Sequence, residues 1–543
     1  MKKIWIHSLF LVLFLLGTTT ICEAKVKLPR FVSDGMVLQR GQKLTIWGTA
    51  DSGEAVNVKF LKKEYKTTAD EQGKWQVELP SLKPGGPYTM TINDITIKDI
   101  LVGDVWLCSG QSNMELPVVR VLELFRDEIE KDSNPMIHHI KVPWNSNLHR
   151  TEDDILPTQW EPLTPKNALS FSALAYFFAK DIYAKTKVPV GIINSCLSGS
   201  PIEAWISEEG LKSFPVYLND KRMYESDQLR NDLDKMEAEK NQAWFTALYR
   251  GDNGIHESIP WYADNYNNDE WSSKDLFSTD WSTDGLNNVN GSHWLRREFH
   301  VPEPWVKEKA VLYLGTIRGG DSTYVNGKFL GTTGDPYTPR VYSIPKEMLR
   351  AGTNNITVRI ISCNGKPYVV KEKPYKIVFE GGETIKLEGE WKYRQGANML
   401  PMGGRSPFIL KPEGLYNAMI APFLHYGISG VIWYQGEANT GRYNEYASLL
   451  EVMIDDWRQK WEVTDLPFYV VELADFLPRE DIEGRKMWAK FREAQAEVAN
   501  TVDKVRLIKN SDLGEWNDIH PLDKKTVGKR VSEAVWNDIQ KRH

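Results

Sequence analysis

The stretch Ile100-Leu-Val-Gly-Asp-Val-Trp-Leu-Cys-Ser-Gly-Gln-Ser-Asn-Met-Glu115 decides the fold of the central part of the chain. Residues 100–107 form a nearly continuous apolar run, which is typical of a strand buried on both faces of a parallel sheet. Comparable runs occur at Val188–Ile193, Ile428–Trp433, Phe468–Leu473 and Val505–Ile508. Helical patterns lie between some of them, at Ser170–Tyr183, Asn417–Tyr426, Tyr443–Trp461, Met487–Asn500 and Lys525–Ile539. Strand alternating with helix predicts an α/β domain with a parallel sheet.

Two further regions have the pattern of β-structure. Short runs such as 44–47 and 56–60 alternate apolar and polar residues between turns, which predicts an N-terminal β-sandwich over residues 25–98. The alternation returns with turns such as Asn326-Gly327, and predicts a β-domain over residues 266–394. This second β-domain is inserted into the α/β domain, which then consists of residues 99–265 and 395–543. Three domains also suit a chain of 543 residues, which is too long for a single core.

The N-terminus has the pattern of a cleavable secretory signal. Lysines at positions 2 and 3 precede an apolar run over residues 9–16, and the small-residue site Cys22-Glu-Ala24 follows. We therefore expect residues 1–24 to be a signal peptide and the protein to be secreted, periplasmic or at the cell surface in a bacterium. Lipid attachment at Cys22 is the alternative, although Thr19–Ile21 is a poor lipobox. No later segment is long and apolar enough to predict a membrane span.

The composition is that of an ordinary globular protein, with 41% hydrophobic and 26% charged residues. The net charge of -6 gives no reason to expect a nucleic acid or an anionic membrane as partner. The 20 Trp and 22 Tyr supply rings that can stack on sugars, although most such side chains fill protein cores. Beyond the signal peptide the cysteines are Cys108, Cys196 and Cys363, an odd number that does not predict a disulfide framework.

Two loops carry the residue types of a serine nucleophile and its base. Ser112 lies in a Gly-led turn after the strand that ends at residue 107, where a substrate can approach closely. Met114 replaces the last Gly of a nucleophile elbow, so an ordinary turn is the alternative interpretation. Near the C-terminus, His520 follows Asp518 by two residues. In an extended segment these two side chains share a side, and the Asp can fix the imidazole tautomer.

Two more loops at predicted strand ends carry groups suited to an oxyanion. In the segment 194–200, Gly199 can direct its backbone N–H at a developing negative charge. The amide of Gln435, after the strand at 428–433, can donate a hydrogen bond in the same way, with Glu437 as its partner. Taken singly, these segments are equally well explained as a plain loop and a polar strand cap. Because sites in open α/β sheets form at the carboxyl ends of strands, we expect the loops to meet.

Taken together, four blocks resemble the SGNH/GDSL hydrolase superfamily, in its sialate O-acetylesterase-like branch. The blocks are residues 110–113, 199–205, 433–437 and 518–521. The resemblance covers roughly residues 25–265 and 395–543, and it implies an SGNH-type three-layer α/β/α domain. The segment Asp321–Gly331 resembles the jelly-roll sugar-binding domain of β-galactosidases. An inserted jelly roll at this place is similar to enzymes that deacetylate plant hemicellulose, including xyloglucan.

The resemblance implies a role for each matching residue. Ser112 attacks an acetyl carbonyl, and His520, beside Asp518, takes the proton. The backbone N–H groups of Ser112 and Gly199 and the side chain of Gln435 hold the oxyanion. The implied substrate contacts are Gln111, Asn113, Glu437 and Trp205. No cofactor and no metal are implied.

The chain departs from the family pattern at two positions. Ser198 stands where Gly is frequent, and Asn517 stands where many superfamily members place the acid. The expected substrate is an acetylated glycan or oligosaccharide, either a 9-O-acetyl sialate or a hemicellulose such as xyloglucan or xylan. One alternative is a non-catalytic carbohydrate-binding protein. The other is a lipase or thioesterase of the same fold, which needs a long apolar acyl groove.

Overall fold

A computed structural model describes residues 26–277 and 290–541. The predicted signal peptide lies outside the described residues. The structure confirms the predicted fold class: an α/β domain with a parallel sheet is accompanied by two β-rich domains. Within the described residues, no helix is long and apolar enough to cross a membrane.

The predicted strand at residues 100–107 lies in the middle of the central sheet. From edge to edge its strands are Val505–Ile508, Phe468–Val471, Gly430–Tyr434, Ile95–Gly110, Val190–Cys196, Asn134–Lys141 and Glu161–Leu163. All neighbours pair in parallel except the last two, which are antiparallel. Residues 100–110 are buried without interruption, as expected for a strand covered on both faces.

Helices cover both faces of this sheet and give it three layers. Trp106 contacts Phe178 of the helix Ala173–Thr186, whereas Trp433 contacts Trp457 of the helix Tyr443–Lys460. Trp433 pairs in register with residue 109, an odd number of positions from Trp106, so the two Trp side chains point to opposite faces. The other α-helices are Ser112–Glu115, Leu122–Ile129, Pro215–Met223, Asp227–Gly251, Asn253–His256, Gly414–Met419, Ile482–Thr501 and Lys524–Lys541.

The N-terminal β-domain shares a strand with the central sheet. One of its sheets pairs Leu44–Thr49 with Lys74–Leu79. The other contains Val37–Gln39, Ala55–Phe60, Lys63–Thr68, Gly85–Ile92 and the first half of Ile95–Gly110. Because Ile95–Gly110 runs without a break across residues 98 and 99, the two domains form one continuous hydrophobic core.

The inserted domain packs two antiparallel sheets against each other. One sheet has the order Ser272–Asp275, Glu390–Met399, Asn290–Val301, Gly352–Ser362, Gly320–Val325 and Lys328–Thr333. The other has the order Val341–Ile344, Ala310–Leu314, Tyr375–Phe379 and Thr384–Lys386. Alternate residues of the strands point into a separate core, which includes Leu312, Ile356 and Trp391. The strand Glu390–Met399 runs five residues past position 394, where the sequence predicted the inserted domain to end.

Candidate active site

Ser112 begins a short helical turn directly after the central strand. Gly110, the last residue of that strand, has φ +137°, and a Cβ there would lie 2.2 Å from the carbonyl oxygen of Tyr434. Only glycine therefore lets the two strand ends approach this closely. The chain then turns into the helix Ser112–Glu115, and the serine stands at the carboxyl end of the sheet, as predicted.

His520 lies within hydrogen-bonding distance of Ser112. The distance from His520 Nε2 to Ser112 Oγ is 2.8 Å. For Nε2 to accept the hydroxyl proton, the proton of the neutral imidazole must be on Nδ1. In the described part of the chain, the buried Nδ1 has no hydrogen-bond partner. The pair thus has the geometry of a serine nucleophile with its general base.

The surroundings of His520 favour the neutral imidazole. Burial lowers the pKa of His520 to about 3, and the positive charges of Lys524, Arg120 and Arg318 act in the same direction. The carboxylate of Asp335 acts in the opposite direction. A neutral imidazole at Nε2 can accept a proton, so this environment keeps the base in its active form over a wide pH range.

Asp518 does not contact the imidazole in the way that the sequence predicted. Its Oδ1 accepts a hydrogen bond of 2.9 Å from the backbone N–H of His520, and its Oδ2 lies 3.3 Å from Lys373 Nζ. The prediction that Asp518 bonds the ring is therefore not matched by the geometry. The tight turn at 515–518, closed by the Asp518 N–H and the carbonyl of Glu515, is followed by bends at residues 519 and 520, so Asp518 and His520 do not lie in the extended segment that the sequence predicted.

Two backbone N–H groups are available for an oxyanion. Among the described residues, neither the Ser112 N–H nor the Gly199 N–H has an intramolecular acceptor. Gly199 has φ +75°, and it is exposed with open space where a Cβ would stand. Ser198, which replaces the usual Gly, donates from both its N–H and its hydroxyl to Glu115 Oε2, at 3.0 and 2.7 Å. This bond pair fixes the turn that presents Gly199.

The predicted role of Gln435 as an oxyanion donor is not supported by its contacts. The side chain is fully buried, and its amide nitrogen donates to Ser200 O at 3.1 Å and to Asn439 Oδ1 at 2.7 Å. Its Oε1 accepts from the Tyr446 hydroxyl at 3.0 Å. Both amide hydrogens therefore have acceptors inside the protein. Gln435 thus links its own loop, at residues 433–437, to the loop at residues 199–205.

Asn113 and Glu437 form hydrogen bonds in the protein interior that fix the loop carrying Ser112. Asn113 is 1% exposed, and its amide donates to Glu437 Oε1 and to the carbonyl of Ile519. Its Oδ1 accepts from Lys524 Nζ at 2.6 Å. The prediction that Asn113 contacts substrate is wrong, because every polar atom of its side chain is already paired inside the protein. Burial raises the pKa of the Glu437 carboxyl, whereas the bond from Asn113 lowers it.

Gln111 and Trp205, the two other predicted substrate contacts, are also buried. Trp205 is 0% exposed, with its Nε1 donating to Ser200 Oγ at 2.9 Å, so it cannot stack on a sugar and that prediction is wrong. Gln111 accepts at Oε1 from the N–H groups of Gly436 and Ala438, at 3.2 Å each. Within the described residues its amide nitrogen has no hydrogen-bond partner, and this atom is not fully buried.

Several residues that sequence reasoning did not single out complete the site. Lys524 is fully buried; burial lowers its pKa to about 8, while the Glu437 and Asp518 carboxylates raise it. The sequence pattern that could have indicated its burial is its position on the same face of the last helix as the apolar residues Val527 and Val531, which are also buried. From the inserted domain, Lys373 pairs with Glu515 at 2.6 Å and Tyr337 lies against His520. No spacing pattern pointed to those contacts.

The described residues contain no group of three or more His, Cys, Asp or Glu that could hold a metal ion. Cys108 and Cys196 are free and buried, and burial raises the pKa of both thiols. The groups that this arrangement brings together are the Ser112 hydroxyl, the His520 imidazole and the backbone N–H groups of Ser112 and Gly199.

Two family models match this chain. Residues 385–537 match the family described as "Carbohydrate esterase, sialic acid-specific acetylesterase". Residues 228–381 match "Glycosyl hydrolases family 2, sugar binding domain". These matches confirm the resemblance to the sialate O-acetylesterase family: the first contains the blocks 433–437 and 518–521, and the second contains the inserted segment 321–331.

Curated relatives have names that agree with the first family model, and a solved structure shares the fold. The sialate O-acetylesterases of Pongo abelii and Homo sapiens are each 30% identical over 207 residues, which covers 34% of this chain and 40% of each relative. The chain thus spans less than half the length of these relatives. A carbohydrate acetylesterase from Xanthomonas citri has the same fold, with a TM-score of 0.56 and 23% identity, covering 94% of this chain and 74% of that one.

Proposed function

We propose that this protein is a carbohydrate O-acetylesterase that works by serine acyl transfer. The observation that carries the proposal is the 2.8 Å contact between Ser112 Oγ and His520 Nε2, at a turn where the Ser112 and Gly199 N–H groups lack acceptors within the described residues. The family match over residues 385–537 supports an acetyl ester as the substrate.

The reaction follows from these groups. Ser112 Oγ attacks the acetyl carbonyl carbon while its proton passes to His520 Nε2, and the N–H groups of Ser112 and Gly199 bind the new oxyanion. When the tetrahedral intermediate collapses, the sugar oxygen leaves and takes the proton from Nε2, which leaves an acetyl-enzyme. A water molecule, deprotonated by Nε2, then attacks the acetyl carbonyl; as the Ser112 Oγ–carbon bond breaks, Oγ takes the proton back from Nε2 and acetate is released.

An acetylated glycan is the proposed substrate class. The match of residues 228–381 to a sugar-binding domain supports a glycan rather than a lipid ester. Within that class we propose two substrates for test, namely 9-O-acetyl sialate, which corresponds to the names of the curated relatives, and acetylated hemicellulose such as xyloglucan or xylan.

The deciding experiment measures acetate release by the purified protein. The panel contains 4-nitrophenyl acetate, 9-O-acetyl-N-acetylneuraminic acid, acetylated xyloglucan oligosaccharides and 4-nitrophenyl esters of longer acids. Acetate release from a sugar ester, with activity falling as the acyl chain lengthens, supports the proposal. Preference for long acyl chains would instead identify a lipase or thioesterase. No turnover of any ester, with retained glycan binding, would identify a carbohydrate-binding protein.

We also propose that the protein is exported, on the basis of the N-terminal sequence pattern alone. In a bacterial host, the mature protein is expected in the periplasm or at the cell surface, with its N-terminus near Lys25. N-terminal sequencing of the protein recovered from each cell fraction tests this. An intact Met1 in a cytoplasmic fraction would contradict it.

A further inference from the structure

The turn Asp335–Thr338 of the inserted domain lies at the catalytic histidine. The ring of Tyr337 contacts the imidazole of His520 edge to face, with centroids 5.5 Å apart and an interplanar angle of 84°. The inserted domain is therefore not a remote appendage, because one of its loops borders the group that accepts the proton from Ser112.

This turn is held rigidly from both domains. Within the insert, Asp335 Oδ1 accepts from the N–H groups of Tyr337 and Thr338, at 2.6 and 2.8 Å. The fully buried Arg340 donates to the carbonyl of Thr338 at 2.6 Å and pairs with Asp321 at 2.9 Å. A loop that is fixed in this way can present a side chain to a substrate without losing much conformational freedom.

The catalytic domain and the turn are also bonded directly. Arg120, which follows the nucleophile loop, donates to the carbonyl of Tyr337 and to Thr338 Oγ1, at 3.3 Å each. A second arginine, Arg318 of the insert, stacks on the Tyr337 ring with its guanidinium carbon 4.1 Å from the ring centroid. The position of Tyr337 is thus defined by contacts on several sides.

Part of the Tyr337 side chain nevertheless remains open. The residue is 36% exposed, and in the described part of the chain its hydroxyl has no hydrogen-bond partner. An aromatic edge with a free phenol, next to the histidine that serves the nucleophile, matches what sugar hydroxyls and C–H groups can bind.

We propose that Tyr337 of the inserted domain forms one wall of the substrate site and contacts the sugar that carries the acetyl group. The insert thereby sets the preference of the esterase for glycan esters. This inference rests on the proposed esterase function and goes beyond it, because it assigns substrate specificity to a residue outside the α/β domain.

The test compares Tyr337→Ala and Tyr337→Phe with the matched control Tyr368→Ala. Tyr368 is 42% exposed and also stacks on Arg318, at 5.9 Å, but it has no ring contact with His520 among the described residues. kcat/KM is measured for 4-nitrophenyl acetate, which has no sugar, and for acetylated xyloglucan oligosaccharide and 9-O-acetyl-N-acetylneuraminic acid.

For Tyr337→Ala we expect kcat/KM on the sugar ester to fall by roughly tenfold or more, as for the loss of a defined pocket contact. The loss on 4-nitrophenyl acetate should be clearly smaller, because that ester has no sugar to contact Tyr337, and Tyr368→Ala should leave both values unchanged. Tyr337→Phe separates the contribution of the phenol hydroxyl to kcat/KM from that of the aromatic ring.

Two outcomes overturn the inference. Equal losses on the sugar ester and on 4-nitrophenyl acetate would mean that Tyr337 only packs His520, and the absence of any loss would mean that the sugar does not reach it. A wild-type protein that releases acetate from 4-nitrophenyl acetate but from no sugar ester would instead contradict the proposed function itself.

Discussion

His520 Nε2 lies 2.8 Å from Ser112 Oγ, although 408 positions separate the two residues in the chain. The inserted β-domain accounts for much of this separation, since it interrupts the α/β domain between the strands at 190–196 and 430–434. Ser112 stands at the end of the central strand and His520 in the loop before the last helix, so the contact exists only once both halves of the α/β domain have joined.

Replacing the nucleophile should abolish turnover without unfolding the protein. For Ser112→Ala we expect kcat on 4-nitrophenyl acetate to fall by roughly 10⁴-fold or more, because the hydroxyl that forms the acyl-enzyme is removed. Thermal melting should be nearly unchanged, since the serine is only half-buried. A fluorophosphonate probe should label the wild type at Ser112 and not the variant. Near-normal turnover in a folded variant would contradict the mechanism.

Asp518 should matter through the loop rather than through the tautomer of His520. Asp518→Asn keeps an oxygen to accept the His520 N–H, so we expect kcat to fall by less than about tenfold, against roughly 10⁴-fold for losing the acid of a ring-bonded triad. Asp518→Ala removes the contacts with His520 and Lys373 and should lower both kcat and melting temperature. The half-buried Asn517 is the control: its amide donates to the carbonyl of Lys371 at 2.7 Å and not to the His520 segment, so Asn517→Ala should change kcat little. A loss near 10⁴-fold in Asp518→Asn would show that the carboxylate bonds Nδ1 during turnover.

The acid limb of the pH profile should lie far below the ordinary pKa of histidine. The base must be neutral, and burial lowers the pKa of His520 to about 3, so protonation should not inactivate it as the pH falls from 7 towards 4. A free histidine would lose activity around pH 6.5. The measurement is acetate release from pH 3.5 to 8, with samples held at each pH and returned to neutrality to separate unfolding from titration. An acid limb near pH 6.5 would mean that His520 gains a carboxylate partner in the working enzyme.

Gln435 should prove more important for stability than for chemistry. Gln435→Ala removes three buried side-chain hydrogen bonds and leaves the carbonyl of Ser200 without its partner, and a buried unpaired group costs about 1–3 kcal/mol of unfolding free energy. We expect a clear drop in melting temperature and, below it, a kcat loss well under the 10²–10³-fold typical of a lost oxyanion donor. An unchanged melting temperature with a 10²–10³-fold lower kcat would restore the donor role.

The sequence by itself predicted the layers of the fold and singled out Ser112 and His520, which the structure brings into contact. Continuous apolar runs such as 100–107 predict buried parallel strands because a strand covered on both faces tolerates no polar alternation. The ends of those strands then fix where a site can form, so Ser112 and His520 could be chosen from local sequence together with the family blocks. The inserted domain could be predicted from a different pattern, because its apolar and polar residues alternate with the period of two that a half-buried strand requires.

Only the tertiary structure decided which polar side chains are paired inside the protein and which remain open at the site. Asn113, Trp205 and Gln435 stand in the matching blocks, but their polar atoms are paired inside the protein with groups distant in sequence. Tyr337 stands outside those blocks, yet domain docking brings it to His520. The physical reason is that hydrogen-bond satisfaction and contact between domains are set by three-dimensional neighbours, whereas periodicity reports only the local direction of a side chain.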